Sequence, residues 1–428
     1  MNVRLPSWNL LLWLATLSPS VCAQDQVVVK AGKVITVTKG TLENAVILIE
    51  NGVIREVGQD IEAPWDATVI DASDKVVLPT YVVAHTSGGM SNPNENMANV
   101  PYLTVEDAVD PSSQFFEEAL RNGVGTLHVI PGNATLLGGR GMIIRPFGRT
   151  VEDMAVRTAA GLKVSLDPGR GSRMAKIRKL HRAIAEVREY LADRERREAE
   201  FAKEKEAGAV AEDAEFEEID PKKKPVVDLL AGKATAFFYV PSAAEIAEAL
   251  RIRDRYGFKA VFVLGPACSK AATRLARLGE PVVLMPELEV WETDPDTDEE
   301  SMYCSAAELA KLSVPFALGI AESTRGRPTG PTRYPWWQMA TCVRNGVDRQ
   351  MALEALTIVP ARILGLEEEL GSIEAGKVAN LQIVTGDPLQ ATTWVDTVLL
   401  DGEVAYQRSE DPRLRHLFGE AETTEDAR

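Results

Sequence analysis

Histidine is scarce in this chain. Its 428 residues hold only four, His85, His128, His181 and His416. A catalytic zinc usually takes three protein ligands, most often imidazoles and carboxylates, so a site rich in imidazole has little to draw on. Cysteine is equally thin. Cys22, Cys268, Cys304 and Cys342 are too few and too scattered for a disulfide framework. An oxidising compartment would allow one pair at most. The simpler reading is buried thiols acting as small hydrophobes. No segment approaches the run of about 18 apolar residues that a membrane helix needs. Positive charge is outnumbered, with 47 Lys and Arg against 63 Asp and Glu and a net charge of -16. Phosphate backbones and anionic membranes are therefore poor partners, because both need a basic face. No Gly-x-Gly-x-x-Gly stands at a strand-to-helix turn, which weakens a dinucleotide reading.

The residues present suggest an exported protein of two or three structural units. Arg4, the apolar core Leu10-Leu11-Leu12-Trp13-Leu14-Ala15 and the small residues Val21-Cys22-Ala23 read as a signal peptide over 1–23. That places the mature chain in the periplasm or outside the cell. Cys22 as a lipid-anchor cysteine is the alternative, with Pro19-Ser20-Val21 a poor fit before it.

Two β-rich stretches bracket the chain. The first, 24–78, contains Val-, Ile- and Leu-rich runs on either side of Asn51-Gly52. The second, 369–408, contains runs on either side of Asp401-Gly402. Both dipeptides are strong hairpin signals, and the two stretches are expected to pair into one small β-sandwich. Between them, 79–368 alternates strand-like and helix-like segments. Strands are expected at 124–131, 236–240, 259–264, 281–285 and 314–318, and helices at 243–256 and 270–278. That rhythm fits an α/β protein with a (β/α)8 TIM-like barrel; an open doubly wound sheet is the alternative. A charged insertion, 183–224, is expected to be a solvated helix followed by an acidic loop. Residues 409–428 read as a flexible tail.

Four motifs resemble the amidohydrolase superfamily, and within it the imidazolonepropionase and dipeptidase-like branch. LPTYVVAHTSGG at 78–89 is similar to that family's opening Pro-Gly-Leu-Ile-Asp-x-His-x-His. HVIPGNATLLGGRG at 128–141 matches a loop found in exported members, and GLKV at 161–164 resembles the entry to the fourth barrel strand. The most specific is ALEALTIVPARILGLEEELGSIEAGKVANLQIVTGDPL at 352–388. The resemblance runs over about 27–408 and implies a barrel with its site at the carboxyl ends of the strands.

The same resemblance shows what has changed. The His-x-His pair would place two donors on one side of a strand; here it is His85 and Ser87, and a serine hydroxyl is a poor zinc ligand. The preceding aspartate is Val83. The fifth-strand histidine should lie within 238–241, Phe-Tyr-Val-Pro, and the sixth-strand histidine where Gly265-Pro266 stands. The fourth-strand ligand, which the resemblance implies is an acidic residue or a carboxylated lysine, falls near Lys163 to Pro168, where Asp167 is close but off the usual pattern. Glu322 is the carboxylate nearest the eighth-strand position of the general base.

The expectation is thus a metal-free pseudo-hydrolase that binds a small ligand or a partner. His85, His128 and Lys163 are candidate ligand-binding residues, Asp167 and Glu322 candidate acid–base residues, and no cofactor is assigned. A rebuilt hydrolase acting on dipeptides or other C–N bonds is the second reading. There His85, Asp167, Glu322 and Cys268 would gather a single divalent ion such as zinc, or act as acid and base. A third reading is a structural subunit in a homo- or hetero-oligomer, in contact through Trp336-Trp337 or the charged arm. Arg140, Lys163, Arg325 and Arg327 would make the barrel mouth basic and suit a carboxylate. His181 is expected to face water.

Overall fold

The computed structural model describes residues 26–167, 169, 171–209, 211, 213–320 and 330–414. The amino-terminal strands are β1 (Gln26–Ile35), β2 (Thr41–Glu50), β3 (Val53–Gly58) and β4 (Thr68–Pro79). Alternation decides the faces. Ala45, Ile47 and Ile49 of β2 are buried together with Val29, Ala31 and Val34 of β1. Asn51 and Gly52 take φ of 51° and 77° at the β2–β3 turn, as a type I′ hairpin requires.

Next come β5 (Tyr81–Thr86), β6 (Val124–Val129), β7 (Leu137–Arg140), β8 (Met142–Ile144), β9 (Ala155–Arg157), β10 (Leu162–Ser165), β11 (Thr235–Ser242), β12 (Lys259–Ala267) and β13 (Val282–Leu284). A hairpin of β14 (Glu289–Thr293) and β15 (Glu300–Cys304) precedes β16 (Phe316–Leu318). β10, β11, β12, β13 and β16 are parallel neighbours, and β5 is parallel to β6. Residues 355 and 356 bridge the two groups: Leu318 N donates to Ala355 O at 2.9 Å and Val82 N to Leu356 O at 2.8 Å. The fold is a TIM-like barrel, as the βα rhythm predicts.

One stave departs from the all-parallel pattern. β8 pairs antiparallel with β6, and β7 pairs antiparallel with β10. The cause is connection length. Only residues 130–136 separate β6 from β7, whereas a parallel return needs a crossover of about a dozen residues or more. The chain therefore turns back down the barrel.

Side chains alternate between the lumen and the helices. Val82, Ala84, Ile143, Phe237, Val263, Val283 and Ala317 form the interior cluster. Val83, Leu127, Val164, Phe238 and Leu264 face the outer layer. The helix Ala243–Tyr256 shows how that layer docks: Ile246, Ala249 and Ile252 are buried at a spacing of three, Ser242 caps the start, and Gly257 ends it at φ 72°. The helix Ile358–Leu364 closes the amino-terminal end, with Ile358, Val359 and Leu364 packed into the interior cluster.

β17 (Leu381–Val384), β18 (Val395–Leu400) and β19 (Glu403–Gln407) then return to the amino-terminal strands. The order β19-β18-β17-β4-β1-β2-β3 is one continuous hydrogen-bonded sheet. Its two hairpins meet, because a Cβ on Gly52 would fall 2.5 Å from the Asp401 carbonyl oxygen. The charged region holds a 34-residue helix, Arg173–Glu206, which buries Leu180, Ile184 and Val187. Its second half is mostly exposed, with Phe201 packed at a tilt against Phe216 of the returning chain. His181, expected to face water, is partly exposed and partly packed. Its Nδ1 lies 2.8 Å from the Tyr256 hydroxyl, between the long helix and the helix Ala243–Tyr256. Among the described residues no helix is long and apolar enough to cross a membrane.

Candidate functional site

β5 is buried along its whole length and ends at His85-Thr86. Its register against β6 slips between Val83 and Thr86, as at a β-bulge. The slip leaves the Ala84 carbonyl beside the imidazole of His128, whose Nδ1 lies 2.9 Å away. A carbonyl can only accept, so that proton sits on Nδ1. The His128 ring packs against Phe237 at a tilt, with centroids 4.2 Å apart. Gly141 keeps the other side of the ring clear, since a Cβ there would lie 2.4 Å from Nε2. Burial pushes His128 down to about 4, so the ring is neutral at neutral pH.

Lys163 projects from β10 into the lumen and is fully buried. Its Nζ lies 2.6 Å from His85 Nε2 and 2.6 Å from Asn133 Oδ1. It also stands 5.7 Å from the centre of the Tyr239 ring. An ammonium has no lone pair to offer, so His85 Nε2 accepts and the other ring nitrogen carries the proton. Burial, the Lys163 charge and then His128 hold His85 well below the usual histidine range. Burial first, and then the Asp167 charge, raise Tyr239 to about 12, so its phenol stays protonated. Together these groups form a lumen wall of two neutral imidazoles, one ammonium, one carboxamide and one phenol.

The other expected residues are placed differently. Asp167 serves the turn after β10, where its Oδ1 accepts from Gly169 N at 2.8 Å and its carbonyl accepts from Lys176 Nζ. Glu322, Arg325, Arg327 and His416 lie outside the described residues, as do 1–23 and Cys22. Cys268 is not available to a site in the mouth. It packs in the outer core, its Sγ donates to Val240 O at 3.1 Å, and burial pushes the thiol up to about 12. Cys304 and Cys342 are also buried free thiols. Arg140 is not at the mouth. The inverted stave carries it to the opposite end of the barrel, opposite Leu162 at the start of β10.

Asn133 and Tyr239 join the site without having been expected there. Pro131-Gly132-Asn133 immediately follows a barrel strand, which is the available hint for Asn133. Tyr239 stands where the resemblance implies a histidine.

The sequence profile of the amidohydrolase family matches residues 307–405. A solved amidohydrolase from Thermotoga maritima MSB8 superposes with a TM-score of 0.76 at 28% identity, covering 89% of this chain and 100% of that one. The chain thus resembles the amidohydrolase family in its carboxyl-terminal quarter and shares the superfamily's fold over most of its length. A 5-methylthioadenosine/S-adenosylhomocysteine deaminase from Pyrococcus furiosus is 44% identical over 63 residues, which is 15% of this chain and 15% of that relative. An adenosine deaminase from Xanthomonas campestris, solved with bound zinc, shares the fold at 16% identity and a TM-score of 0.50, over 89% of this chain and 92% of that one.

Among the described residues, the donors around His85 are few for a hydrolytic ion. Among the described residues no three His, Cys, Asp or Glu side chains converge as a metal-binding group. His85 Nε2, the nitrogen a metal would use, lies 2.6 Å from Lys163 Nζ. The fifth-strand position offers a phenol held protonated, and the sixth offers Gly265-Pro266.

Proposed function

We propose that this protein is an exported, metal-free member of the superfamily that binds a small polar ligand at the barrel mouth and does not hydrolyse it. The observation that carries the reading is the Lys163–His85 contact. Where a metallohydrolase would need an electron-pair donor, this chain presents a cation to its own histidine. Without an ion that lowers the pKa of water to about 7, neutral imidazoles and a buried ammonium supply no hydroxide. What they do supply is a set of fixed hydrogen-bonding groups. Lys163, Asn133 and Tyr239 come from separate segments of the barrel wall, and all three reach one point in the lumen. Small-molecule sites are typically built from a few converging polar groups on an apolar wall. Export rests on the arginine, apolar core and small residues of 1–23.

The test is turnover. Purified mature protein, supplied with zinc or manganese, is assayed on dipeptides, N-acyl amino acids and cyclic amides, beside a His85→Ala variant. The reading expects no hydrolysis from either. Turnover by the parent that His85→Ala abolishes would establish a rebuilt hydrolase in its place.

A further inference from the structure

We propose that the amino-terminal end of the barrel carries a second binding site, a pocket for a small organic anion centred on Arg140. A cavity of about 380 Å³ opens there, within the usual size range of small-molecule pockets. It lies below the starts of β10 and β11, at the end of the barrel away from His85. Arg140, Arg157, Lys224 and Lys233 line it, against the single carboxylate of Asp228. That carboxylate is already held by Lys224, at 3.0 Å from both oxygens. Arg157 donates one Nη to the Leu364 carbonyl at 2.9 Å. Arg140 makes no side-chain hydrogen bond or ion pair among the described residues, and its Nε is shielded from solvent with no partner. Lys233 likewise has no ion pair among them.

Four cations around one carboxylate are a surplus in a chain whose net charge is -16. A half-buried guanidinium without a partner loses hydration that only an acceptor can restore. Its planar fork suits a carboxylate or a phosphate. The floor is apolar, formed by Ile143, Leu162 and Phe237, so the ligand carries a compact apolar body beside its anionic head. The inverted stave explains how the site arose. Running down the barrel, it delivers Arg140 beside Arg157 and Lys233, where a parallel strand would have carried its last residue to the mouth. Phe237 also packs against His128, so a ligand here lies one ring away from that imidazole.

Calorimetric titration of the full mature chain with benzoate and with inorganic phosphate tests this. Saturable binding of either anion is expected, with the better ligand showing whether carboxylate or phosphate heads are preferred. Arg140→Gln and Lys233→Gln should each weaken it about tenfold, the weight of one charge-assisted hydrogen bond. Asn133→Ala, at the mouth, should leave it unchanged. Lys233 is exposed, so its variant keeps the test valid if Arg140→Gln fails to fold. The His128 imidazole resonances should shift on binding. No saturable binding of either anion, or equal binding by both lower-pocket variants, overturns the proposal. So does binding lost in Asn133→Ala alone.

Discussion

At the scale of single residues, the lumen is governed by two histidines that folding keeps neutral. An unfolded histidine titrates near 6.5, whereas His128 in the fold is pushed down to about 4 by burial. The unfolded chain therefore takes up a proton that the folded chain refuses. Stability is intact above pH 6.5 and is lost as the pH falls towards 4, by up to about 3 kcal/mol for this one residue. His85 adds to the loss in the same direction. His128→Asn keeps a donor for the Ala84 carbonyl and removes the titration. Urea unfolding from pH 7 to 4.5 should show a shallower decline for that variant. An unchanged slope would mean that His128 titrates normally. Lys163→Met removes a positive charge beside His85, so proton NMR should find that imidazole titrating at a higher pH than in the parent.

At the scale of elements, the strands written in Val and Ile and ended by Asn-Gly or Asp-Gly were legible. So was the helix 243–256, with its apolar spacing and capping serine. The inverted stave was not. Leu137-Gly138-Gly139-Arg140-Gly141 reads as a loop, because glycine weakens strand propensity and packs no side chain. Close contact demands those glycines: a Cβ on Gly139 would stand 2.6 Å from the Leu103 carbonyl oxygen. Gly139→Ala should cost about 1–3 kcal/mol by overpacking, measured as a lower urea midpoint with unchanged slope. The hairpin β14–β15 was hidden for another reason. Its turn carries Asp294-Pro295-Asp296-Thr297-Asp298-Glu299, and acidic residues dilute the strand signal around them. The long charged helix makes a separate prediction. Its first half buries Leu180, Ile184 and Val187 while 191–206 covers little. Amide exchange should therefore be faster in 191–206 than in 174–190.

At the scale of the whole molecule, the two terminal β stretches complete one sheet, and the barrel between them has its closing helix against its amino-terminal end. Resemblance and turn chemistry were enough to read that plan. The site was only partly legible, because its central contact joins residues 78 positions apart and depends on the bulge in β5. Histidine counting showed what was missing; it could not show that Lys163 takes up the remaining imidazole. The most direct test of this account is elemental analysis of the protein expressed in zinc- and manganese-supplemented medium and purified without chelator. The account predicts metal far below one equivalent per chain. One equivalent or more, retained through dialysis and lost in His85→Ala, would contradict it.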